Sequence, residues 1–171
     1  MTDSSSLSSS SLNPLRVIIG ADHRGMDTAQ RVQETLTQLG YQASIIQACE
    51  GSSDYPEQAY AVGHEMNAGN ADRGVLICGT GIGMSIAANK VNGLRAALVH
   101  DELTAQLSRS HNDANVLCLS ADLLGERLID KVIEVWMNTE FEGGRHKRRV
   151  DKITAIQDGL DPCTTTESPT S

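Results

Sequence analysis

The sequence predicts an α/β fold, a three-layer α/β/α sandwich around a five-stranded, parallel, Rossmann-like sheet. Two observations predict it. Five short apolar runs, rich in Val, Ile and Leu, alternate along the chain with segments whose apolar residues recur at helical spacing. The connections are short, and strands that alternate with helices form parallel sheets with helices on both faces.

Each predicted strand is a short apolar run that ends in a polar or glycine-rich turn. The five strands are Leu15–Gly20, Tyr41–Ile46, Gly74–Cys78, Ala96–Val99 and Val116–Leu119. Parallel strands need right-handed crossovers, so the segments between them are expected to be helices on alternate faces of the sheet.

Six segments have the apolar stripe or the end signals of a helix. They are Met26–Leu39, Pro56–Ala68, Ser85–Lys90, a helix that Asp101 caps and that ends near Ser110, Leu123–Thr139 and Arg149–Gln157. Gly40 is a typical residue to end the first helix. Leu103 and Leu107 share one face of the fourth, and the last carries Val150, Ile153 and Ile156.

Composition indicates one domain between two polar tails. Residues 1–13 are Ser-rich and 159–171 are polar and rich in Thr and Ser, so both are expected to be disordered. The 145 or so residues between them, 14–158, are of the usual size for a single domain. Only 3% of residues are aromatic, so the core is expected to be aliphatic.

Charge and cysteine usage exclude several classes of protein. The formal net charge is −8, whereas non-specific nucleic-acid binding needs a basic surface. No run is apolar and long enough to span a bilayer, and the first residues lack a signal-peptide core. The four cysteines, at 49, 78, 118 and 163, form no C-x-x-C pair, which favours reduced thiols in a cytoplasmic protein.

Ligands of such sheets bind beyond the carboxyl ends of the strands, so the polar loops there are the expected site. These loops are Asp22-His23, Asp54-Tyr55, Cys78–Gly83, His100-Asp101 and Ser120–Asp122. The most distinctive is the third, in which Gly79, Gly81 and Gly83 alternate between a strand and a helix start. Backbone N–H groups of such a turn converge on one point and bind anions.

The glycine pattern G-T-G-I-G differs from the dinucleotide fingerprint G-x-G-x-x-G, and no G-K-[ST] follows it as in a Walker loop. A turn that only packs, without a ligand, remains an alternative. Cys78 is either a small buried hydrophobe or a thiolate base whose negative charge the turn stabilises. Thr80 lies close enough to relay a proton.

Three histidines and a basic cluster are weaker signals. His23, His111 and His146 each adjoin another polar residue, and each alone is typical of a surface histidine. The cluster Arg145–Arg149 follows two glycines in a predicted turn. It is either a solvated basic patch or a phosphate grip, because arginine matches phosphate oxygens in bidentate geometry.

Five motifs together resemble the ribose-5-phosphate isomerase B family, which includes allose- and galactose-6-phosphate isomerases. They are GADHRG at Gly20–Gly25, DYP at Asp54–Pro56, CGTGIGMSIAANK at Cys78–Lys90, SRSHNDANVL at Ser108–Leu117 and FEGGRHKRRV at Phe141–Val150. The resemblance covers about Val17 to Ile156. It implies aldose–ketose isomerisation of a phosphorylated sugar, without a metal or other cofactor, in the non-oxidative pentose phosphate pathway.

By that resemblance, Cys78 is the base that moves a proton between C2 and C1, and Thr80 assists proton movement between O1 and O2. The N–H groups around Gly79–Gly83 stabilise the enediolate. His111, helped by Asp22, opens the sugar ring.

The rest of the implied site binds hydroxyls and phosphate. Asn112 and Tyr55 hold hydroxyl groups, and His23, Arg145 and Arg149 bind the phosphate. The family's site lies between two subunits, which implies a homodimer with shared active sites or a tetramer of such dimers.

One position departs from the family pattern, since relatives often carry a phosphate-binding arginine where this chain has Asp122. An acid that points inward there repels phosphate. The substrate therefore remains open between ribose 5-phosphate and an allose or galactose 6-phosphate. A non-catalytic sugar-phosphate-binding protein is a further alternative, although it does not need a base and a ring-opening acid together.

Overall fold

The computed structural model describes residues 14–48 and 54–164. Five strands and six helices follow one another in this part of the chain. The strands are β1 (Arg16–Ala21), β2 (Gln42–Ile46), β3 (Arg73–Cys78), β4 (Ala96–Leu98) and β5 (Val116–Ser120). The helices are α1 (Met26–Gln38), α2 (Tyr55–Asn67), α3 (Ile82–Ala88), α4 (Glu102–Ser110), α5 (Glu126–Asn138) and α6 (Gly144–Gln157).

The strands form one parallel sheet in the order β2-β1-β3-β5-β4. The predicted fold class is therefore confirmed. Strand order reverses between β1 and β3, because β2 lies on one side of β1 whereas β5 and β4 lie on the opposite side of β3. The loops after these two strands diverge at such a point and leave a crevice for ligands. The Asp22 and Cys78 loops thus lie side by side, and Asp22 N donates to Ile77 O at 3.2 Å.

Alternate side chains of each strand enter two separate cores, as the period of two requires. On one face, Ile19 and Ile77 pack with residues of α1 and α5, including Trp136. On the other face, Leu76, Cys78 and Cys118 pack with residues of α2 and α3. The Cys78 side chain therefore lies on the face that α3 covers.

Several predicted boundaries need correction. Helix α3 starts at Ile82, three residues before the predicted Ser85, because Gly81 is left-handed (φ 74°) and reverses the chain directly into the helix. Helix α5 starts at Glu126, since Gly125 with its extended backbone precedes it, and Leu123 lies outside the helix and exposed.

The largest error concerns the basic cluster, which was predicted to be a turn. Arg145–Arg149 belongs to α6, which starts at Gly144 because Gly143 and Gly144 both adopt positive φ and redirect the chain. The buried residues of α6 are His146, Val150 and Ala155. Of the three apolar residues predicted for this helix, Val150 is therefore buried, whereas Ile153 and Ile156 are exposed.

Other predictions fall partly outside the described residues. Cys49 and residues 1–13 lie outside them, as do residues 165–171 of the predicted C-terminal tail, whereas 159–164 form turns. No helix in residues 14–48 and 54–164 is long and apolar enough to cross a membrane.

Candidate functional site

The glycine turn after β3 directs a backbone donor at the Cys78 thiol. Gly81 N donates to Cys78 Sγ at 3.1 Å, and the side chain is only 4% exposed. Thr80 is exposed, and its Oγ1 accepts from Ile82 N at 3.3 Å. The turn thus brings the sulfur, a hydroxyl and several N–H groups together, as the motif predicts.

The end of strand β5 fixes this turn through hydrogen bonds to the Gly79 carbonyl. The Ser120 hydroxyl is fully buried, donates to Gly79 O at 2.6 Å and accepts from Leu123 N at 3.0 Å. Asp122 N also donates to Gly79 O, at 3.1 Å. Since the Gly79 carbonyl has two donors within the protein, its position is set by the end of the neighbouring strand.

Side chains approach the turn closely enough to meet a Cβ on each of its three glycines, and on Gly81 that Cβ would lie 2.6 Å from Leu98 Cδ1. A Cβ on Gly83 would lie 2.6 Å from the Tyr55 ring, so the ring packs directly on the turn. A Cβ on Gly79 would lie 2.8 Å from Asp122 Oδ2 and 3.0 Å from Arg24 Nε. These contacts give Gly79 and Gly83 a role in the shape of the site.

Asp22 organises the loop after β1. It is 6% exposed, and its Oδ1 accepts from Arg24 N at 3.0 Å and from Gly25 N at 3.1 Å. The Asp22 Oδ2 atom has no hydrogen bond within the described residues, so it remains available to a ligand. His23, next in the chain, is exposed. The structure therefore brings Asp22, His23, Tyr55, Cys78 and the turn together at one edge of the sheet.

A second cluster surrounds His111, the C-cap of α4. The imidazole of His111 stacks on that of His146 with centroids 4.0 Å apart and planes within 10°. Glu142 Oε2 lies 3.6 Å from His146 Nε2 and 4.0 Å from His111 Nε2. Arg145 Nε lies 3.2 Å from His146 Nε2 as a donor, which assigns the neutral tautomer with its proton on Nδ1.

Burial lowers the pKa of His146, which is 4% exposed, and the positive charges of His111 and Arg145 lower that pKa further. His146 is therefore a neutral ring beside His111 near neutral pH. Its position corrects the prediction that it is a surface histidine.

The loop that carries His111 and Asn112 is fixed by an acid at its centre. Asp113 adopts a positive φ of 48° and forms 2.8 Å ion pairs with both Arg95 and Arg109. Two arginines on one carboxylate hold this loop in its strained conformation.

His111, Glu142 and His146 are also residue types that ligate metals, and their ligand atoms lie within 4.8 Å of one another. The ring geometry opposes such a role. Lone pairs of two parallel, stacked imidazoles do not point at a common ion, and Arg145 already donates to His146 Nε2. The arrangement fits a histidine pair for proton transfer better than a metal centre.

The two clusters lie at opposite ends of the strands, which we call the carboxyl edge and the amino edge of the sheet. Cys78 ends β3, whereas His111 and Asn112 precede β5 and so lie at the amino ends of the strands. Glu142 N donates to Ser110 O at 3.0 Å, and the far end of α6 reaches Gly93, just before β4, through Gln157. Arg145 and Arg149 on α6 therefore lie at the amino edge as well.

Strands of five or six residues separate the clusters by roughly 17–20 Å at about 3.3 Å per residue. One chain does not bring the two sets of predicted site residues together.

A family model described as Ribose/Galactose Isomerase matches residues 17–153, most of the chain. The chain belongs to the ribose/galactose isomerase family. Ribose-5-phosphate isomerase B of Escherichia coli (strain K12) is 40% identical over 145 residues, which are 83% of this chain and 96% of that protein. A D-erythrulose-4-phosphate isomerase of Pectobacterium atrosepticum is 40% identical over 141 residues, 81% of this chain and 93% of the relative.

Solved structures of the ribose/galactose isomerase family match equally well. Type B ribose 5-phosphate isomerase of Leishmania infantum is 44% identical with a TM-score of 0.80, covering 85% of this chain and 98% of that one. Ribose-5-phosphate isomerase B of Mycoplasma genitalium, with bound ribulose-5-phosphate, is 37% identical with a TM-score of 0.77, covering 84% and 97%.

Within this family fold, sequence reasoning missed three residues that the structure adds to the two clusters. Arg24 contacts the glycine turn, and Glu142 and His146 accompany His111. A helical reading of the basic cluster would have found His146, because His146 and Val150 are four residues apart and share the buried face of α6. No sequence signal pairs Arg24 with Asp122, which lie 98 positions apart.

Proposed function

We propose that this chain is a metal-independent ribose-5-phosphate isomerase, which interconverts D-ribose 5-phosphate and D-ribulose 5-phosphate through ring opening and a cis-enediolate. The observation that carries the proposal is the Gly81 N–Cys78 Sγ hydrogen bond of 3.1 Å in the glycine turn, at the carboxyl edge of the sheet. Relatives about 40% identical over almost their whole lengths are named as such isomerases. The reaction belongs to the non-oxidative pentose phosphate pathway, and we assign it to the cytoplasm.

Cys78 is the base of the isomerisation. Its thiolate removes the proton from C2 of the open-chain aldose and returns it to C1, while the electron pair of the C2–H bond forms the enediolate double bond. Thr80 moves the hydroxyl proton between O1 and O2. Turn N–H groups from Gly79 to Gly83 stabilise the enediolate oxygen as negative charge develops there. A positioned base contributes about 10²–10⁴-fold.

Ring opening requires an acid and base at the other end of the sugar. His111 serves this role, and the neutral His146 ring stacked on it supports its orientation. Asp22 assists through Oδ2, Tyr55 and Asn112 hold hydroxyl groups, and His23, Arg145 and Arg149 bind the phosphate.

The distance between the two clusters supports a homodimer with shared sites. The amino edge of one subunit supplies His111, Asn112, Arg145 and Arg149 to the carboxyl edge of its partner. Apolar side chains left exposed on the surface support such an association. Ile82 and Ile86 of α3, Leu103 of α4 and Ile156 of α6 are each more than half exposed.

The deciding experiment is turnover by the purified chain in the presence of a chelator. We expect ketose formation from ribose 5-phosphate with a higher kcat/KM than from allose 6-phosphate, galactose 6-phosphate or D-erythrose 4-phosphate. A higher kcat/KM on one of the others would reassign the substrate. Binding without turnover on all four would mean a sugar-phosphate-binding protein and would refute the enzyme.

A further inference from the structure

Arg24 and Asp122 form an ion pair across the mouth of the glycine turn. Arg24 follows β1 and Asp122 follows β5, so the pair spans β3, on which Cys78 lies. The shortest contact, Arg24 Nη2 to Asp122 Oδ2, is 2.8 Å, and the side chains are 56% and 37% exposed. Both side chains lie beside Gly79, since a Cβ added to this glycine would be 2.8 Å from Asp122 Oδ2 and 3.0 Å from Arg24 Nε.

The pairing leaves hydrogen-bonding capacity unused on both partners. Arg24 Nε and Nη2 both donate to the same atom, Asp122 Oδ2, at 3.1 and 2.8 Å. Within the described residues, Arg24 Nη1 and Asp122 Oδ1 have no hydrogen bond. A guanidinium that only neutralises a carboxylate prefers the two-oxygen fork.

Two other arginine–aspartate pairs of this chain adopt that fork. Arg16 Nε and Nη2 reach the two oxygens of Asp72 at 3.1 and 2.7 Å. Arg31 Nε and Nη2 reach the two oxygens of Asp130 at 3.1 and 2.6 Å. All three arginines bind their aspartate through Nε and Nη2, but Nη1 of Arg16 donates to Gly69 O and Nη1 of Arg31 to Glu126 Oε2, both at 2.8 Å. Arg24 differs because its Nη1 has no acceptor within the described residues.

The charges at the carboxyl edge indicate what Arg24 Nη1 could bind. Asp22 and Asp122 are both acids within this edge, and Arg24 is the arginine beside them. A phosphate dianion that approaches the turn therefore meets net negative charge unless Arg24 opposes it. Arg24 is adjacent in sequence to His23, which the proposed function already assigns to phosphate.

We propose that Arg24 is a phosphate-binding residue of this site, aimed by Asp122 through Nε and Nη2 so that Nη1 meets a phosphate oxygen of the sugar. The proposal rests on the proposed function, since it names a residue that binds the phosphate of ribose 5-phosphate. It also gives Asp122 a role that does not oppose phosphate binding, because its carboxylate pairs with Arg24 and orients the guanidinium.

Arg24→Gln tests the assignment through the split between KM and kcat. We expect the KM for ribose 5-phosphate and the inhibition constant of inorganic phosphate to rise together by about tenfold or more, since a charge-assisted bond to phosphate is lost. The effect should lie in KM rather than kcat, because the reacting carbons are at the other end of the sugar. Arg16→Gln, which removes a pair of similar exposure at the amino edge, should change neither constant.

Asp122→Asn separates phosphate binding from a structural ion pair. The amide oxygen still accepts from Arg24 Nε and Nη2, but the negative charge is gone, so we expect both constants to stay unchanged or to fall about two- to threefold. Thermal unfolding of each variant reports any loss of structure separately.

Two results would overturn the inference: constants in Arg24→Gln within twofold of the unsubstituted protein, or an equal rise in Asp122→Asn and Arg24→Gln. Either would make the pair structural. Failure of the proposed function has a different signature, which is the absence of turnover in the unsubstituted protein. Calorimetric binding of inorganic phosphate still tests Arg24 in that case.

Discussion

His146 lies face to face with His111 at 4.0 Å, although β5 and α5 separate the two residues in sequence. Helix α6 returns to the start of β5 and places a buried, neutral ring against the residue to which we assign ring opening. The contact makes His111 part of a packed unit and predicts a measurable effect of pH on stability.

Because the folded protein holds the pKa of His146 below the ordinary value of 6.5, the unfolded chain binds the proton more readily. The contribution of His146 to the free energy of unfolding is therefore complete above pH 6.5 and declines as pH falls towards the lowered pKa. We expect His146→Phe, which keeps a flat ring, to show a smaller loss of stability between pH 7.5 and 5 in urea titrations. His64→Gln is the control at an exposed histidine, and an unchanged slope in His146→Phe would contradict the assignment.

Removal of the proposed base should abolish catalysis without loss of fold. Cys78→Ala is expected to lower kcat by about 10²–10⁴-fold or more, with a small change in the affinity for inorganic phosphate. Cys118→Ala is a matched control, since Cys118 is a fully buried thiol on the neighbouring strand and burial raises its pKa. The base would have to be another group if Cys78→Ala kept most of its rate.

Shared sites predict complementation between two inactive proteins. Cys78→Ala and His111→Ala should each be nearly inactive alone on ribose 5-phosphate, yet mixed dimers contain one site with both native residues. After unfolding and refolding together in equal amounts, about a quarter of all sites should be intact, as random pairing in a two-fold dimer requires. Activity no higher than that of the separate variants would place all catalytic groups within one chain.

The ring-opening role of His111 can be isolated with a sugar that cannot close. D-Erythrose 4-phosphate has no free hydroxyl that could form a five-membered ring, whereas ribose 5-phosphate is mostly cyclic. His111→Ala should therefore lose much more kcat/KM on ribose 5-phosphate than on D-erythrose 4-phosphate. Equal losses on both sugars would argue for a role of His111 in the isomerisation itself.

Gly83→Ala should separate stability from substrate affinity. Alanine stabilises a helix by about 0.5–1 kcal/mol relative to glycine, but a Cβ here would lie 2.6 Å from the Tyr55 ring and displace it. We expect an unchanged or slightly higher melting temperature with a lower kcat/KM. Gly125→Ala, where no atom lies within 4 Å of the added Cβ, should leave kcat/KM unaffected. A native kcat/KM in Gly83→Ala would remove Tyr55 from the site.

The fold class and most elements could be predicted from local patterns. The periodicity of apolar residues and the glycines that end elements are both visible within a few consecutive residues. The Asp101 cap is an example, since its side chain accepts from Thr104 N at 2.7 Å as the sequence predicts. The start of α6 was not predicted because two consecutive glycines are typical of a turn. In the structure both adopt positive φ, and the helix begins at the second of them. The strand order was not predicted, since it depends on which strands pair over long separations.

The site was predictable where its residues lie in one motif and unpredictable where distant segments meet. Cys78, Thr80 and the glycines occur in one stretch, and the structure keeps them together. The His111–His146 stack and the Arg24–Asp122 pair depend on how α6 and the β5 loop pack, and no local pattern contains that information. The separation of His111 from Cys78, by contrast, follows from the predicted parallel sheet, because Cys78 ends β3 whereas His111 precedes β5.

The buried hydroxyl of Ser120, which holds the Gly79 carbonyl at 2.6 Å, has a consequence for the energetics of turnover. Because this bond fixes the Gly79 carbonyl, we expect the backbone of the turn to lose conformational entropy when the chain folds and not again in every catalytic cycle. If the turn stabilises the enediolate as proposed, the bond between Ser120 and Gly79 lowers the reorganisation that the reaction requires. We therefore expect thermal stability and the rate of the chemical step both to depend on the Ser120 hydroxyl.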